Sequence, residues 1–209
     1  TYDRKTTPVM HLTCRGQTWK SLERLITRWK RLRVQRVLAL RGDAFRPRND
    51  GPNSSVELVA FLTEHGMKTA VAAYPDGHPD ARKAAHEMSE THWLYRKLEA
   101  GADQIVTQFS ARIDGVLRLR DAVERFGEPV EMRVGVMPVP DWERFKTLID
   151  RCGIEPDPGE ALLFDGLPDD SHHALSLGLA YANMRALRAE GCTSFHLYGL
   201  NDSRLLLPL

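Results

Sequence analysis

Polar and charged side chains stand in or directly after several short apolar runs of this chain, and their types could bind a polar or conjugated ligand. His11 lies in the first such run, Arg41 and Asp43 follow the second, and Gln108 lies in the fourth. A histidine, a guanidinium and a carboxylate can move protons or balance charge. A primary amide at the end of a buried strand must find hydrogen-bond partners, and a ligand can supply them. The residue types therefore indicate a ligand site assembled from several parts of the chain.

These residues also have purely structural explanations. A single histidine such as His11 is more often a structural side chain, and Asp43 after Gly42 fits an ordinary turn or a helix N-cap. His172 and His173 stand at a predicted helix start, where we expect them at the surface. The spacing of residues indicates no Ser-His-Asp arrangement, and there is no HExxH motif or phosphate-binding lysine loop. The residues alone thus predict a polar site and leave the reaction open.

Composition narrows the class of protein. The chain has 209 residues, 29 Lys plus Arg and 28 Asp plus Glu, so a net charge of +1 gives no attraction to nucleic acid or to anionic membranes. Cys14, Cys152 and Cys192 lie far apart, which disfavours a disulfide framework or a zinc site and indicates a reducing, cytoplasmic setting. We expect Cys14 and Cys192 to be buried like small apolar residues. No apolar run reaches the roughly 18 residues of a membrane span.

Six apolar runs have the length of buried parallel strands and alternate with helical patterns. The predicted strands are Pro8–Thr13, Arg36–Leu40, Thr69–Tyr74, Gln104–Phe109, Glu131–Pro138 and Ser194–Tyr198. The predicted helices are Thr18–Arg33, Val56–His65, Arg82–Ala100, Asp114–Phe126, Asp141–Arg151 and His172–Glu190.

Strict alternation of strands and helices predicts an α/β fold with a parallel sheet and right-handed crossovers. The sheet could be doubly wound or part of a barrel. No GxGxxG follows the first strand, and polar residues recur past the strand ends, which favours a (β/α)8 TIM-type barrel. Six units are two fewer than eight. We therefore expect residues 1–209 to form a single barrel domain whose first two βα units are missing from this sequence.

The strand-end motifs are specific as an ordered set. They are His11-Leu12-Thr13-Cys14, Ala39-Leu40-Arg41-Gly42-Asp43, Ala73-Tyr74-Pro75 with His78-Pro79, Thr107-Gln108-Phe109, Gly135-Val136-Met137-Pro138-Val139 and Phe195-His196-Leu197-Tyr198 with Leu200-Asn201. Together they resemble the bacterial type of the 5,10-methylenetetrahydrofolate reductase family, over essentially the whole chain.

The resemblance implies a cytoplasmic flavoprotein oxidoreductase of one-carbon metabolism and methionine biosynthesis. Such an enzyme holds FAD at the strand C-termini, takes hydride from NADH or NADPH, and reduces 5,10-methylenetetrahydrofolate to 5-methyltetrahydrofolate. The implied partners are folate and the nicotinamide dinucleotide, with a homo-oligomer as a further option and with no metal, nucleic acid or membrane.

The resemblance also implies roles for individual residues. Asp43 matches a carboxylate that tunes the flavin and favours a cationic folate intermediate, and Gln108 matches an amide that binds folate and nicotinamide in turn. Both are therefore the expected catalytic residues. The expected FAD contacts are Thr1, Tyr2, His11, Arg41, Gly42, Asp43, Tyr74, His78, Ala81, Arg96 and Lys97. The expected folate contacts are Gln108, Arg144 and Leu148.

Several positions depart from the family pattern. The family's general acid is a glutamate on its first strand, which has no counterpart in this sequence. The other departures are Glu90, Trp93, Ser110, Ala111, Arg112, Arg144, Leu148 and Asp202. Those on the folate side leave open a divergent barrel that binds another pterin or flavin ligand. The missing first strand leaves open a non-catalytic scaffold subunit.

Overall fold

The computed structural model describes residues 7–42, 47–78, 89–110, 112–138, 142–154 and 157–200. Within this part of the chain there are six strands and seven helices; one helix lies between each pair of successive strands up to the fifth, and three lie between the fifth strand and the sixth. In chain order the elements are β1 (Val9–Thr13), α1 (Trp19–Arg31), β2 (Arg36–Leu40), α2 (Ser55–Glu64), β3 (Lys68–Ala73), α3 (Glu90–Glu99), β4 (Gln104–Phe109), α4 (Ile113–Phe126), β5 (Glu131–Val136), α5 (Trp142–Cys152), α6 (Pro158–Phe164), α7 (Asp169–Ala189) and β6 (Phe195–Leu197). All six predicted strands are present, each within two residues of its predicted bounds.

The six strands form one sheet whose spatial order follows the chain, β1-β2-β3-β4-β5-β6. Strands β1 and β2 pair in parallel with Val9 opposite Arg36. The β2–β3 pair and the β5–β6 pair are also parallel. A doubly wound sheet reverses its strand order at a switch point, and no reversal occurs here. The predicted α/β class is confirmed, and the doubly wound alternative is wrong.

Helix α1 shows how the sequence specifies these elements. Thr18 is its N-cap: its side chain accepts a hydrogen bond from the Ser21 amide, and the Ser21 hydroxyl accepts one from the Thr18 amide. This reciprocal pair satisfies two amides that the helix itself cannot. Leu22, Ile26 and Trp29 then recur at intervals of four and three and are buried against the sheet side of the helix. The N-cap and the apolar stripe thus specify the same helix.

The chain divides into two compact units. Among the described residues, the first contains the chain up to Ala72 with His92–Ile105 and Pro129–Glu131. The second contains the described parts of Ala73–Thr91 and Val106–Glu128 and of the chain from Met132 onward. The C-terminal ends of β3, β4, β5 and β6 therefore all belong to the second unit.

Each unit has an apolar interior. In the first unit Leu22, Leu58, Leu62 and Leu94 are fully buried. The second unit contains an aromatic cluster, which we define as Phe109, Trp142, Phe145, Ile149, Ile154 and Phe164. Close packing of such rings contributes dispersion and hydrophobic stabilisation, and it fixes the direction in which β4 ends.

Helix α6 was not predicted, and its presence corrects one expectation. Asp157 caps it by accepting hydrogen bonds from the amides of Gly159 and Glu160. Because α7 then begins at Asp169, His172 lies inside the first turn of α7 and its ring meets the Phe164 ring edge-on at 5.4 Å. The expectation that His172 lies at the surface is wrong, since only 7% of it is exposed. No described helix is both long and apolar enough to cross a membrane.

Candidate active site

The end of β4 carries the amide that the sequence singled out. Gln108 is half-buried, and its Oε1 accepts a hydrogen bond from the Phe109 amide at 3.2 Å. Its Nε2 donates to none of the described residues. The amide therefore has a fixed oxygen and a nitrogen with two N–H donors that a ligand can use.

Thr107, the residue before Gln108, is fully buried and links three strands. Its Oγ1 donates to the Gln108 carbonyl at 2.8 Å and accepts from the Gly135 amide at 2.9 Å. Its own carbonyl accepts a hydrogen bond from the hydroxyl of Tyr198, just past β6, at 3.0 Å. The backbone on both sides of Gln108 is thus tied to neighbouring chain segments.

Gly135 on β5 makes this arrangement possible. A Cβ at this position would lie 2.8 Å from Tyr198 Cε2 and 2.9 Å from the Gln108 carbonyl carbon, and it would clash with Thr107 O. The Tyr198 ring fills the space that a side chain at position 135 would need. The main-chain amide of Tyr198 donates to Val136 O at 2.8 Å. Burial raises the pKa of Tyr198 to about 12, and the nearby Tyr74 phenol adds to the rise. Tyr198 is therefore a neutral donor at physiological pH.

The end of β3 presents an aromatic pair. The rings of Tyr74 and His78 meet edge-on with centroids 4.6 Å apart, and both residues are half-buried. The Tyr74 amide donates to Glu90 Oε1 at 3.3 Å. Glu90 is one of the family departures, and here its carboxylate anchors the start of the loop that carries this pair.

In the first unit, the residues after β1 and β2 frame a tight turn. Gly42 has φ +86°, and a Cβ there would lie 3.1 Å from the Thr13 Cβ and 3.3 Å from the Arg15 Cβ. Arg41 and His11 are exposed. The turn therefore requires glycine, and it leaves the Arg41 side chain at the surface.

Cys14 is 1% exposed, and its Sγ donates to Leu40 O at 3.3 Å. Burial raises the pKa of its thiol to about 11, so it is no nucleophile at neutral pH. Cys192 is 6% exposed, and the prediction that both cysteines are buried is confirmed.

The basic pair on α3 separates into two different environments. Arg96 is exposed, and its guanidinium lies 5.7 Å from the centroid of the Trp93 ring. Lys97 is only 9% exposed, and its ammonium donates to the Ala72 carbonyl at 2.9 Å. Trp93, another departure, thus provides a cation–π surface for Arg96.

The expected folate contacts on α5 lie one turn apart. Arg144 is exposed, whereas Leu148 is half-buried against the aromatic cluster. Tyr198 packs against the same cluster, which contains Phe109 beside Gln108. The structure therefore brings Leu148 and Tyr198 to the cluster that contains Phe109, the residue after Gln108.

The other expected site residues are divided between the two units, and some lie outside the described residues. Arg41, Arg96 and Lys97 belong to the first unit, whereas Tyr74 and His78 belong to the second. Thr1, Tyr2, Asp43 and Ala81, and the departure Asp202, lie outside the described residues. In the described part of the chain, no three His, Cys, Asp or Glu side chains are grouped so as to hold a metal ion.

Sequence reasoning missed the roles of Thr107, Gly135, Tyr198 and Glu90. The first three stand inside the motifs that carried the resemblance, and their place in these motifs was the only feature of the sequence that could have pointed to them. Their function arises from contacts between distant segments, which residue spacing does not reveal.

Comparison with known proteins assigns the family. The methylenetetrahydrofolate reductase family model matches residues 2–208. The chain belongs to this family. The 5,10-methylenetetrahydrofolate reductase of Escherichia coli K12 is 32% identical over 199 residues, which cover 93% of this chain and 66% of that protein. The same-named protein of Buchnera aphidicola from Baizongia pistaciae is 30% identical and covers 94% of this chain and 67% of that protein.

A plant relative and a solved structure also match. Methylenetetrahydrofolate reductase (NADH) 1 of Arabidopsis thaliana is 27% identical over 92% of this chain and 36% of that protein. The chain thus spans about two thirds of the length of the bacterial relatives and about a third of the plant one. An uncharacterised protein from Clostridium thermocellum, which binds two copies of 5-methyl-5,6,7,8-tetrahydrofolic acid, superposes with a TM-score of 0.55 at 10% identity. Its structure covers 90% of this chain, and this chain covers 64% of it, which shows a shared fold.

Proposed function

We propose that this protein reduces 5,10-methylenetetrahydrofolate to 5-methyltetrahydrofolate with FAD and a nicotinamide dinucleotide, in one-carbon metabolism. The family match over residues 2–208 carries this proposal. Gln108 supports it, because the amide that family resemblance assigns to the pterin has two unused N–H donors among the described residues.

The proposal includes the fold: residues 1–209 belong to one (β/α)8 barrel domain. The strand order, which follows the chain without reversal, supports successive barrel units. In such a barrel the ligands bind at the C-terminal ends of the strands, and Tyr74, Gln108 and Tyr198 all stand at such ends.

The residues present fit FAD in chemical type. Its flat ring systems can pack on aromatic faces, and the half-buried rings of Tyr74 and His78, which meet edge-on, offer such faces in the second unit. The resemblance assigns the FAD phosphates to Arg96 and Lys97, and the exposed guanidinium of Arg96 is a cation of the type that binds phosphate. When bound, FAD supplies hydride transfer from the nicotinamide to folate.

Within this proposal, Lys97 acts differently from Arg96. Its ammonium donates to the Ala72 carbonyl near the end of β3, and the side chain is buried. We therefore assign direct phosphate contact to Arg96. Lys97 fixes the end of β3 and contributes a buried positive charge there.

The folate side is assigned to three residues in the second unit. Gln108 Nε2 donates to an acceptor on the pterin ring, and Arg144 offers a cation for the carboxylates of folate. Leu148 supplies an apolar side wall beside the aromatic cluster. Asp43, which lies outside the described residues, is assigned the electrostatic role that the resemblance implies. The name of the Arabidopsis relative favours NADH as the hydride donor.

Replacement of Gln108 tests this function. We expect Gln108→Ala to lower kcat/KM for methylenetetrahydrofolate about 10- to 100-fold, because one or two hydrogen bonds to the ligand are lost. The measurement is NADH-dependent reduction of the folate by the purified protein. Gln35→Ala is the matched control, since Gln35 is exposed in the first unit. A Gln108→Ala protein with the kcat/KM of the unaltered protein would contradict the assigned role.

A second candidate function is reduction or binding of a different pterin. Leu148 favours it. The family pattern has a phenylalanine at this position, and the leucine packed against the aromatic cluster offers a ligand an aliphatic surface instead of an aromatic one. Oxidation of 5-methyltetrahydrofolate with an artificial electron acceptor separates the two. Turnover supports the folate reductase, whereas tight binding of other pterins without this turnover supports the second candidate.

A further inference from the structure

Three hydrogen bonds hold the backbone and side chain of Gln108. The Thr107 carbonyl accepts from the Tyr198 hydroxyl at 3.0 Å, and the Gln108 carbonyl accepts from Thr107 Oγ1 at 2.8 Å. Gln108 Oε1 accepts from the Phe109 amide at 3.2 Å. Each carbonyl lies in the plane of one peptide group, so the two planes on either side of the Gln108 Cα are both fixed. The direction of the side chain follows from these planes.

The Tyr198 hydroxyl is the one of these donors that comes from a distant segment of the chain. It lies 91 residues from Thr107 in sequence and reaches past β5, where Gly135 has no side chain to block the ring. Edge-on ring contacts with Phe109 and His196, at centroid distances of 6.0 and 4.6 Å, hold the phenol in place. A phenol held by rings on two sides keeps its hydroxyl on one acceptor.

We infer that Tyr198 is a positioning residue for the ligand-binding amide: its hydroxyl holds the Thr107 carbonyl so that Gln108 Nε2 points at the pterin. The inference rests on the proposed function, because it takes the ligand of Gln108 to be folate. It adds Tyr198, just past β6, which is among neither the expected flavin contacts nor the expected folate contacts.

A double-mutant cycle tests the inference. Tyr198→Phe removes the hydroxyl and keeps the ring, so we expect about a five- to tenfold rise in the Kd for 5-methyltetrahydrofolate and in KM for methylenetetrahydrofolate. In the Gln108→Ala background the same change is expected to have less than about a twofold effect, because its target is already gone. Calorimetric titration with 5-methyltetrahydrofolate gives the Kd, and steady-state assays give KM.

Tyr181→Phe is the matched control, since Tyr181 lies on α7 and is 56% exposed. It is expected to change neither constant. A Tyr198→Phe protein with unchanged Kd and KM would overturn the positioning role. So would an equal effect of this change with and without Gln108, since that would indicate a general structural contribution. If the unaltered protein neither binds nor reduces folate, the proposed function itself fails and the positioning role fails with it.

Discussion

Burial favours the protonated form of two side chains near the strand ends. It raises the pKa of the Cys14 thiol to about 11 and that of the Tyr198 phenol to about 12. Both groups stay protonated at neutral pH, and each donates a hydrogen bond to a main-chain carbonyl. Neither is therefore a nucleophile or a base at that pH.

The raised pKa of Tyr198 predicts a specific pH dependence of stability. The unfolded phenol releases its proton near pH 10.0, whereas the folded one holds it until about pH 12. The folded state therefore loses stability as pH rises through this window. Between about pH 9 and about pH 11, the unfolding free energy is expected to fall by about 1 kcal/mol more in the unaltered protein than in Tyr198→Phe. Urea unfolding at both pH values measures this difference.

The comparison with Tyr198→Phe removes the contribution of every other titrating group, Cys14 included. Equal pH dependence of the two proteins would show that Tyr198 ionises as easily in the folded chain as in the unfolded one. The phenol would then be accessible to water, and its hydrogen bond to Thr107 would not be a lasting feature.

The sequence predicted the burial or role of some single residues but not the contacts of others. Gln108 was predicted as a ligand residue because a primary amide at the end of a buried strand needs hydrogen-bond partners that a ligand can supply, and that remains a proposal. The burial of Cys14 followed from residue type alone. The contacts of Tyr198 and Lys97 could not be predicted, because each joins groups whose distance depends on the packing of separate elements.

At the scale of elements, the approach of β4, β5 and β6 depends on Gly135. We expect Gly135→Ala to lower the unfolding free energy by about 1 to 3 kcal/mol, because the added Cβ meets backbone atoms of β4 that cannot move aside. Denaturant unfolding of both proteins measures the change.

Gly178 provides the matched control, since it lies in α7 and an added Cβ would have no atom within 4 Å beyond its chain neighbours and the surrounding helix backbone. Gly178→Ala is expected to raise the unfolding free energy by about 0.5 to 1 kcal/mol through higher helix propensity. If Gly135→Ala were as stable as Gly178→Ala, the strands would not lie as close as the structure places them.

The elements also show what hydrophobic periodicity can and cannot predict. Strands β2 and β4 were predicted with their observed bounds because each is a short apolar run between polar segments. Helix α6 was missed because seven residues give too few turns for a periodic pattern, although Asp157 before Pro158 and Gly159 is a typical helix start. Its absence from the prediction also led to the error at His172, whose burial depends on Phe164 in α6.

At the scale of the whole molecule, the order of the strands was predictable from the alternation of elements, and the family was identified from the strand-end motifs. The reaction was not derivable from residue spacing, because hydride transfer is the chemistry of a bound cofactor and needs few protein groups. The central claim is therefore that this protein binds FAD and passes electrons from the nicotinamide to folate.

The visible absorption spectrum of the purified protein, recorded without oxygen, tests that claim most directly. We expect the bands of oxidised flavin, their loss when NADH is added, and their return when methylenetetrahydrofolate follows. A protein that stays colourless after incubation with FAD and removal of the excess would contradict flavin binding. Flavin bands that NADH bleaches but methylenetetrahydrofolate does not restore would contradict the folate reaction.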